Sequence, residues 1–183
     1  MLIWVNGAFG SGKTTLVAEL RGHLPDALVF DPEQVGGLLT GIVDCPTGNF
    51  QDIPLWRRQV AGLAAGLHQE YGRTVLVPMN LMTSAYMDEI FGGLRDAGVP
   101  YRHFCLRVPT EVLLRRIDER HRGADGDPAR VEAGRRWCRE QIEAYAAAPP
   151  RLPGDTVVLD GLRPPAELAA QVLAAVRGAP VAG

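Results

Sequence analysis

Gly7-Ala8-Phe9-Gly10-Ser11-Gly12-Lys13-Thr14 satisfies the pattern G-x-x-x-x-G-K-[ST] at every fixed position. Residues of these types at this spacing bind phosphate. The glycines let the main chain curl so that successive N–H groups face the oxygens of an anion. Lys13 would reach the β and γ phosphates of a nucleotide, and the Thr14 hydroxyl would be a ligand of Mg²⁺. Ala8, Phe9, Ser11 and Thr15 complete the stretch that would lie against the nucleotide. Lys13 is also the only lysine in the chain, every other cation of its class being arginine. A lysine kept against that bias belongs where a compact ammonium cannot be exchanged for a planar guanidinium.

The elements that must position this loop flank it directly. Leu2-Ile3-Trp4-Val5 is a short apolar run suited to a buried strand, and the segment from Thr15 to Arg21 continues as an amphipathic helix. Strand, glycine loop and helix start together aim main-chain N–H groups and the positive end of a helix dipole at one point. Four further runs rich in β-branched residues follow, Ala27 to Phe30, Thr74 to Val77, His103 to Val108 and Thr156 to Leu159, with helix-length segments between them. Alternation of this kind predicts an α/β fold with a parallel sheet covered on both faces. Ligands of such sheets bind beyond the carboxyl ends of the strands.

Those ends carry the remaining candidates. Asp31, after the second run, would face the γ phosphate, either accepting a proton from a substrate hydroxyl or holding a water on Mg²⁺. The alternative is a cap on the helix that Pro32 opens. A helix from Pro54 to about Tyr71 would bury a stripe of Leu55, Val60, Leu63 and Leu67. Trp56 and Arg57 near its start would line a substrate pocket, or else be a half-buried indole and a surface guanidinium. Asn80 follows the third run and would touch substrate or cap a loop. No acid stands at that strand end, and no N-K-x-D segment occurs, which argues against a motor ATPase and a switch GTPase. Tyr86, Ile90, Phe91 and Leu94 would be core residues of the next helix. Arg116 and Arg120, four apart on one helical face, begin an arginine-rich stretch that goes on through Arg130, Arg135, Arg136 and Arg139. Projecting from a lid over residues 120–135, such arginines would neutralise a transferring phosphoryl group; the alternative is a solvated helix face held by pairs such as Glu119 with Arg115 or Arg116. Arg163, in the turn after the last strand, would flank an adenine ring.

The chain has 183 residues, net charge −2, 46% hydrophobic and 22% charged residues. That composition predicts one domain over residues 1–178 and a frayed tail at 179–183. The near-neutral balance speaks against nucleic acid as a partner. Cys45, Cys105 and Cys138 form no C-x-x-C pair and read as free thiols of a reducing compartment. No apolar stretch approaches the ~20 residues of a membrane helix, and loss of a signal peptide would remove the first strand. The expectation is a cytoplasmic protein, monomer or homodimer, with peripheral membrane contact left open.

In order, the phosphate loop, the Asp-bearing second strand, the arginine stretch and the terminal Asp160-Gly161 turn resemble the small P-loop kinases, among them shikimate, nucleotide and chloramphenicol kinases. The segment from Ile3 to Thr14 is similar to the start of the bacterial tunicamycin-resistance proteins. Phe30-Asp31-Pro32-Glu33, Pro54-Leu55-Trp56-Arg57 and Val77-Pro78-Met79 match further segments of that family. The similarity runs to about residue 120 and weakens beyond it. The resemblance implies a three-layer P-loop fold of the nucleoside-monophosphate-kinase type, strand order 2-3-1-4-5, with an ATP site. It implies a role in resistance to tunicamycin, a nucleoside antibiotic carrying uracil, sugars and a fatty acyl chain. By analogy with chloramphenicol kinases, Asp31 would activate a drug hydroxyl. A protein that sequesters the drug without transfer, and a kinase of an ordinary metabolite, are the other two readings.

Overall fold

The computed structural model describes residues 1–122, 124–147 and 149–178. The expected tail at 179–183 and Gly123 of the expected lid lie outside the described residues. Five parallel strands form one sheet in the order β2-β3-β1-β4-β5. They are β1 (Leu2–Gly7), β2 (Leu28–Val29), β3 (Val75–Met79), β4 (Tyr101–Arg107) and β5 (Val157–Asp160). Seven helices connect and cover them: α1 (Lys13–His23), α2 (Pro32–Thr40), α3 (Pro54–Tyr71), α4 (Ser84–Asp96), α5 (Thr110–His121), α6 (Pro128–Ala147) and α7 (Pro165–Arg177).

Strand β1 is central because every one of its side chains is apolar or internally bonded and all are buried. It pairs with β3 on one side and β4 on the other. Its alternation divides the core into two layers. Leu2 and Trp4 pack with α2, α3 and α4, where Trp56, Val60, Ile90, Phe91 and Leu94 are buried. Ile3 and Val5 pack with Leu16, Leu20, Leu168 and Val172 of α1 and α7 on the opposite face. Apolar burial on both faces of a parallel sheet is the main stabilising contribution in such a fold. The parallel three-layer arrangement expected from the alternating runs is therefore present, in the order that the resemblance implied.

The stripe expected on α3 is corrected. Leu55 and Leu63 are 37% and 45% exposed, and the buried face instead carries Trp56, Val60, Ala61, Ala64 and Ala65. Alanines serve here because α3 and α4 approach closely: a Cβ on Gly93 of α4 would stand 3.0 Å from the Ala61 Cβ. Tyr86, expected in the core, is only partly buried and donates its hydroxyl to Asp52 at 2.8 Å.

A third apolar cluster joins the phosphate loop to α5 and α6, with Ala8, Leu113, Ile117 and Ile142 buried and Phe9, Cys138 and Tyr145 against them. Arg135 and Arg139 of α6 donate to Asp118 of α5 at 2.9 and 2.8 Å, and Arg135 also pairs with Glu132 at 2.7 Å. Those two arginines thus hold α6 to α5 and do not project over the loop, contrary to their expected place in a lid. Arg135 in turn holds the Asp118 carboxyl below its usual range by hydrogen bonding, with Arg139 adding to the effect.

Candidate active site

The phosphate loop begins where β1 ends at the carboxyl edge of the sheet. Gly7 must be glycine there: a Cβ would meet the Ser11 Oγ at 2.6 Å and the Leu106 carbonyl oxygen at 3.0 Å. Gly12, with φ +97°, takes the left-handed conformation that starts α1 without a side-chain cap. The uncapped N–H groups of α1 are left to bind a ligand. The Ser11 Oγ beside them is buried without a hydrogen-bond partner. Lys13 folds back over the loop and donates to the carbonyls of Gly7 and Ala8 at 2.9 and 3.0 Å. Burial pushes its ammonium down to about 8, with Glu33 opposing the shift and Arg120 adding to it. This arrangement fits the phosphates of a nucleotide.

Asn6, which the sequence reading passed over, fixes the entrance of the loop. Its Oδ1 accepts from the N–H of Gly7 and of Leu81, both at 2.8 Å, and its Nδ2 donates to the Leu81 carbonyl at 2.9 Å. One buried carboxamide thereby ties the end of β1 to the loop after β3. A polar residue closing an otherwise apolar strand was the available signal.

Among the described residues, two cavities against the loop bear on its chemistry. The first, about 310 Å³, is lined by Gly10, Gly12, Thr15, Arg116, Arg120 and Arg163, among others. Arg116 also donates to the Gly10 carbonyl at 3.1 Å. Arg163, at its rim, lies 3.7 Å from Asp160 and 3.4 Å from Glu167. The Gly161 N–H donates to the Arg107 carbonyl at 2.9 Å and fixes this turn against β4. The second cavity, about 210 Å³, lies on the other side and is lined by Phe9, Glu33, Gln51, Asn80, Trp137 and Gln141 with further residues. Phe9 and Trp137 meet edge to face with ring centroids 5.0 Å apart. Gln51 donates to the Asn80 carbonyl at 2.7 Å, while the Asn80 Oδ1 is buried without a donor.

Residues 2–146 match the family model AAA_33, described as an AAA domain. The chain belongs to that family. Its fold is also that of several solved proteins, small-molecule kinases among them. The tunicamycin resistance protein of Deinococcus radiodurans is 25% identical with a TM-score of 0.69, over 96% of this chain and 95% of that one. A sugar kinase from Janibacter sp. HTCC2649 is 21% identical with a TM-score of 0.66, over 98% and 95%. The Mycobacterium tuberculosis APS kinase CysC, solved with AMPPNP and APS, is 18% identical with a TM-score of 0.65, over 97% of each chain. No curated protein is detectably similar in sequence. This AAA-domain chain thus has a P-loop kinase-like fold, as the motifs suggested.

Within the family fold the expected site residues separate into two groups. Residues Gly10, Ser11, Gly12, Thr15, Arg116, Arg120 and Arg163 come together at one cavity, and Phe9 and Asn80 at the other. Asp31 is the N-cap of α2, its Oδ1 accepting from the Glu33 N–H at 3.0 Å. Glu33, two residues further and not among the expected residues, is the carboxylate that lines the second cavity. Partial burial and the Asp31 charge raise its carboxyl, against the pull of Lys13. Trp56 does not line that cavity: it lies wholly in the core and donates its indole N–H to the Pro32 carbonyl at 3.0 Å. Arg57 is buried too, bonded to Glu89 at 2.6 Å and to the Gln51 carbonyl at 2.5 Å. Both expectations are corrected for one reason: at the start of α3 the inward face is the helix-packing face.

No group of three or more His, Cys, Asp or Glu side chains that could hold a metal is found among the described residues. Thr14 and Asp31, the residues expected at Mg²⁺, belong to no such group, which is compatible with an ion that takes most of its ligands from phosphate and water. The three cysteines are free thiols. No helix among the described residues is long and apolar enough to cross a membrane.

Proposed function

We propose that this chain is an ATP- and Mg²⁺-dependent phosphotransferase acting on a hydroxyl of tunicamycin or a related nucleoside antibiotic. The observation that carries the reading is the pair of cavities divided by the phosphate loop, one lined by three arginines and the other by aromatic and amide side chains. Donor and acceptor pockets adjoining one phosphate loop are what in-line transfer needs, since catalysis of this reaction is positioning and charge neutralisation. The choice of drug rests on the similarity to the Deinococcus radiodurans tunicamycin resistance protein.

In this reading the N–H groups from Gly10 to Thr14 hold the β and γ phosphates of ATP. Lys13 leaves its two loop carbonyls for the phosphate oxygens, and Arg116 and Arg120 offset the charge that builds on the transferring group. Arg163 and its turn take the adenosine end. Thr14 would hold Mg²⁺, which when bound would neutralise phosphate charge, and Asp31 is left to act as the base. The drug hydroxyl oxygen forms the new bond to the γ phosphorus as the bond to the ADP oxygen breaks. The hydroxyl proton passes to the Asp31 oxygen not engaged by Glu33. The same reading puts the protein in the cytoplasm, where ATP is available.

The test is to incubate the protein with Mg²⁺, ATP and tunicamycin beside an Asp31→Asn variant, following the drug by mass spectrometry. Phosphorylated drug in molar excess over protein, made by the wild type and not by the variant, is the expected result. Unmodified drug retained in stoichiometric complex would replace the reading with sequestration. Faster turnover of a cellular sugar or nucleoside would replace it with a metabolite kinase.

A further inference from the structure

Residues 41–53, between α2 and α3, are exposed along most of their length and turn at Cys45-Pro46-Thr47-Gly48. Yet the last part of this segment, Asn49, Phe50 and Gln51, forms one wall of the second cavity. A wall of irregular chain keeps its place only when other elements hold it, because ordering such chain costs entropy. Asn49 caps the single 3₁₀ turn Phe50–Asp52, which leaves its final carbonyls without partners of its own.

One guanidinium supplies the hold. Arg57, in the first turn of α3, donates to the Gln51 carbonyl at 2.5 Å and through its Nε to Glu89 of α4 at 2.6 Å. Its guanidinium carbon lies 4.2 Å from the centre of the Tyr86 ring, and the Tyr86 hydroxyl donates to Asp52 at 2.8 Å. Gln51 and Asp52 are thus gripped at consecutive positions. Gln51 carries the hold onward, its Nε2 donating to the carbonyl of Asn80, another lining residue, at 2.7 Å. A line of bonded groups runs from exposed Glu89 through buried Arg57 and Gln51 to the cavity.

Helix packing does not call for this arginine. α3 and α4 already meet closely at Ala61 and Gly93. Burying a guanidinium costs solvation that a single exposed carboxylate returns only in part, and what such a charge supplies is a fixed geometry. Arg57 is 8% exposed and is not among the residues lining the cavity.

Resting on the phosphotransferase reading, we infer that Arg57 is a positioning residue of the acceptor pocket. Through Gln51 and Asp52 it sets where Asn49, Phe50 and Gln51 stand in the wall, and it makes no contact with the acceptor. Lysine cannot replace it. A compact ammonium carries the charge but lacks the planar fork that reaches Glu89 and the Gln51 carbonyl together.

The test compares the wild type with Arg57→Lys and with Tyr86→Phe, which keeps the ring and removes the bond to Asp52. Amide hydrogen exchange of the unliganded protein, read by mass spectrometry, should quicken roughly tenfold over residues 49–53 in Arg57→Lys. Tyr86→Phe should give a smaller change in the same segment, and it carries the test if Arg57→Lys folds poorly. The phosphate loop and residues 58–71 should exchange as before. In steady-state assays with Mg²⁺, ATP and tunicamycin, Arg57→Lys is expected to raise KM for the drug roughly tenfold, with KM for ATP within about twofold. The double variant should add little, since both bonds hold one segment. Unchanged exchange over residues 49–53 in both variants would overturn the proposal. So would KM values for drug and ATP that stay put or shift together, as they would for a residue that only stabilises the fold. A wild type that makes no phosphorylated drug, with the exchange response intact, would remove the phosphotransferase reading and leave Arg57 as the clamp of the cavity wall.

Discussion

The cavity against Gly12 and the cavity against Phe9 share the phosphate loop as a wall, yet three arginines line the first and one carboxylate the second. The difference follows from which helices close each side. The second half of α5 and the turn before α7 bring Arg116, Arg120 and Arg163 to the first. The first turn of α2 and the middle of α6 bring Glu33, Trp137 and Gln141 to the second. Arginine is abundant in the chain, but at the second cavity it is either paired with acids, as Arg135, Arg139 and Arg57 are, or absent from the lining. A P-loop protein needs cations where phosphate sits; it does not need them where the acceptor sits. Pairing the surplus is how one arginine-rich sequence supports both.

Substitutions on the phosphate side should break the contrast most. Lys13→Met is expected to lower transfer on the order of 10³-fold or more while circular dichroism stays native, because one preorganised cation at developing charge is worth about that much. Arg116→Ala should cost roughly 10- to 100-fold in kcat/KM for ATP, since the side chain also holds the Gly10 carbonyl at 3.1 Å.

A pH series probes the same side with a smaller effect. Burial lowers the Lys13 ammonium to about 8 in the free protein, and bound phosphates would raise it. Nucleotide affinity is therefore flat below about 8 and falls as pH rises past it, by at most about tenfold per unit. Calorimetry with an ATP analogue at several pH values, in buffers of different ionisation heat, would show proton uptake on binding at pH 8.5. No uptake would mean that Lys13 is already charged or stays away from the phosphates.

Asn6→Leu separates scaffold from site. It leaves the N–H of Gly7, and both the N–H and carbonyl of Leu81, without their buried partner. The loss expected is about 2–3 kcal/mol of stability, read by denaturant melts, with KM for the acceptor raised severalfold because Leu81 adjoins Asn80. The smallest effect on either cavity is expected from His103, buried between Phe91 and Thr156. Burial lowers its imidazole to about 4 from 6.5. Between those values the unfolded chain binds more protons, so its contribution is whole above 6.5 and is lost as pH falls toward 4, at about 1.4 kcal/mol per unit. His103→Gln should flatten the acid limb of the stability curve and leave nucleotide affinity unchanged.

Local chemistry made much of this protein legible from its sequence. The phosphate loop could be read because its glycines and lysine stand at fixed spacing within eight consecutive residues. The strands were visible as short apolar, β-branched runs, most clearly β1 and β3, which are buried on both faces, whereas the edge strands β2 and β5 stay partly exposed. The free thiols followed from cysteines too scattered to form a motif. Strand order came from resemblance, since nothing in a strand's own composition names its neighbours.

Other features depend on which distant segments meet, and those only the tertiary structure decided. Asp31 and Glu33 stand two apart and both suit a strand end; the start of α2 turns one into its cap and the other toward a cavity. Trp56 reads as a pocket residue until α2 and α4 close over it. The arginines of α6 read as a lid until Asp118 of α5 is seen to hold two of them. Gln51 and Asn80, which share a wall of the second cavity, are joined by one hydrogen bond across 29 positions. A side chain's type and spacing set what it can bind, whereas the helix faces that pack against it determine what remains free to do so.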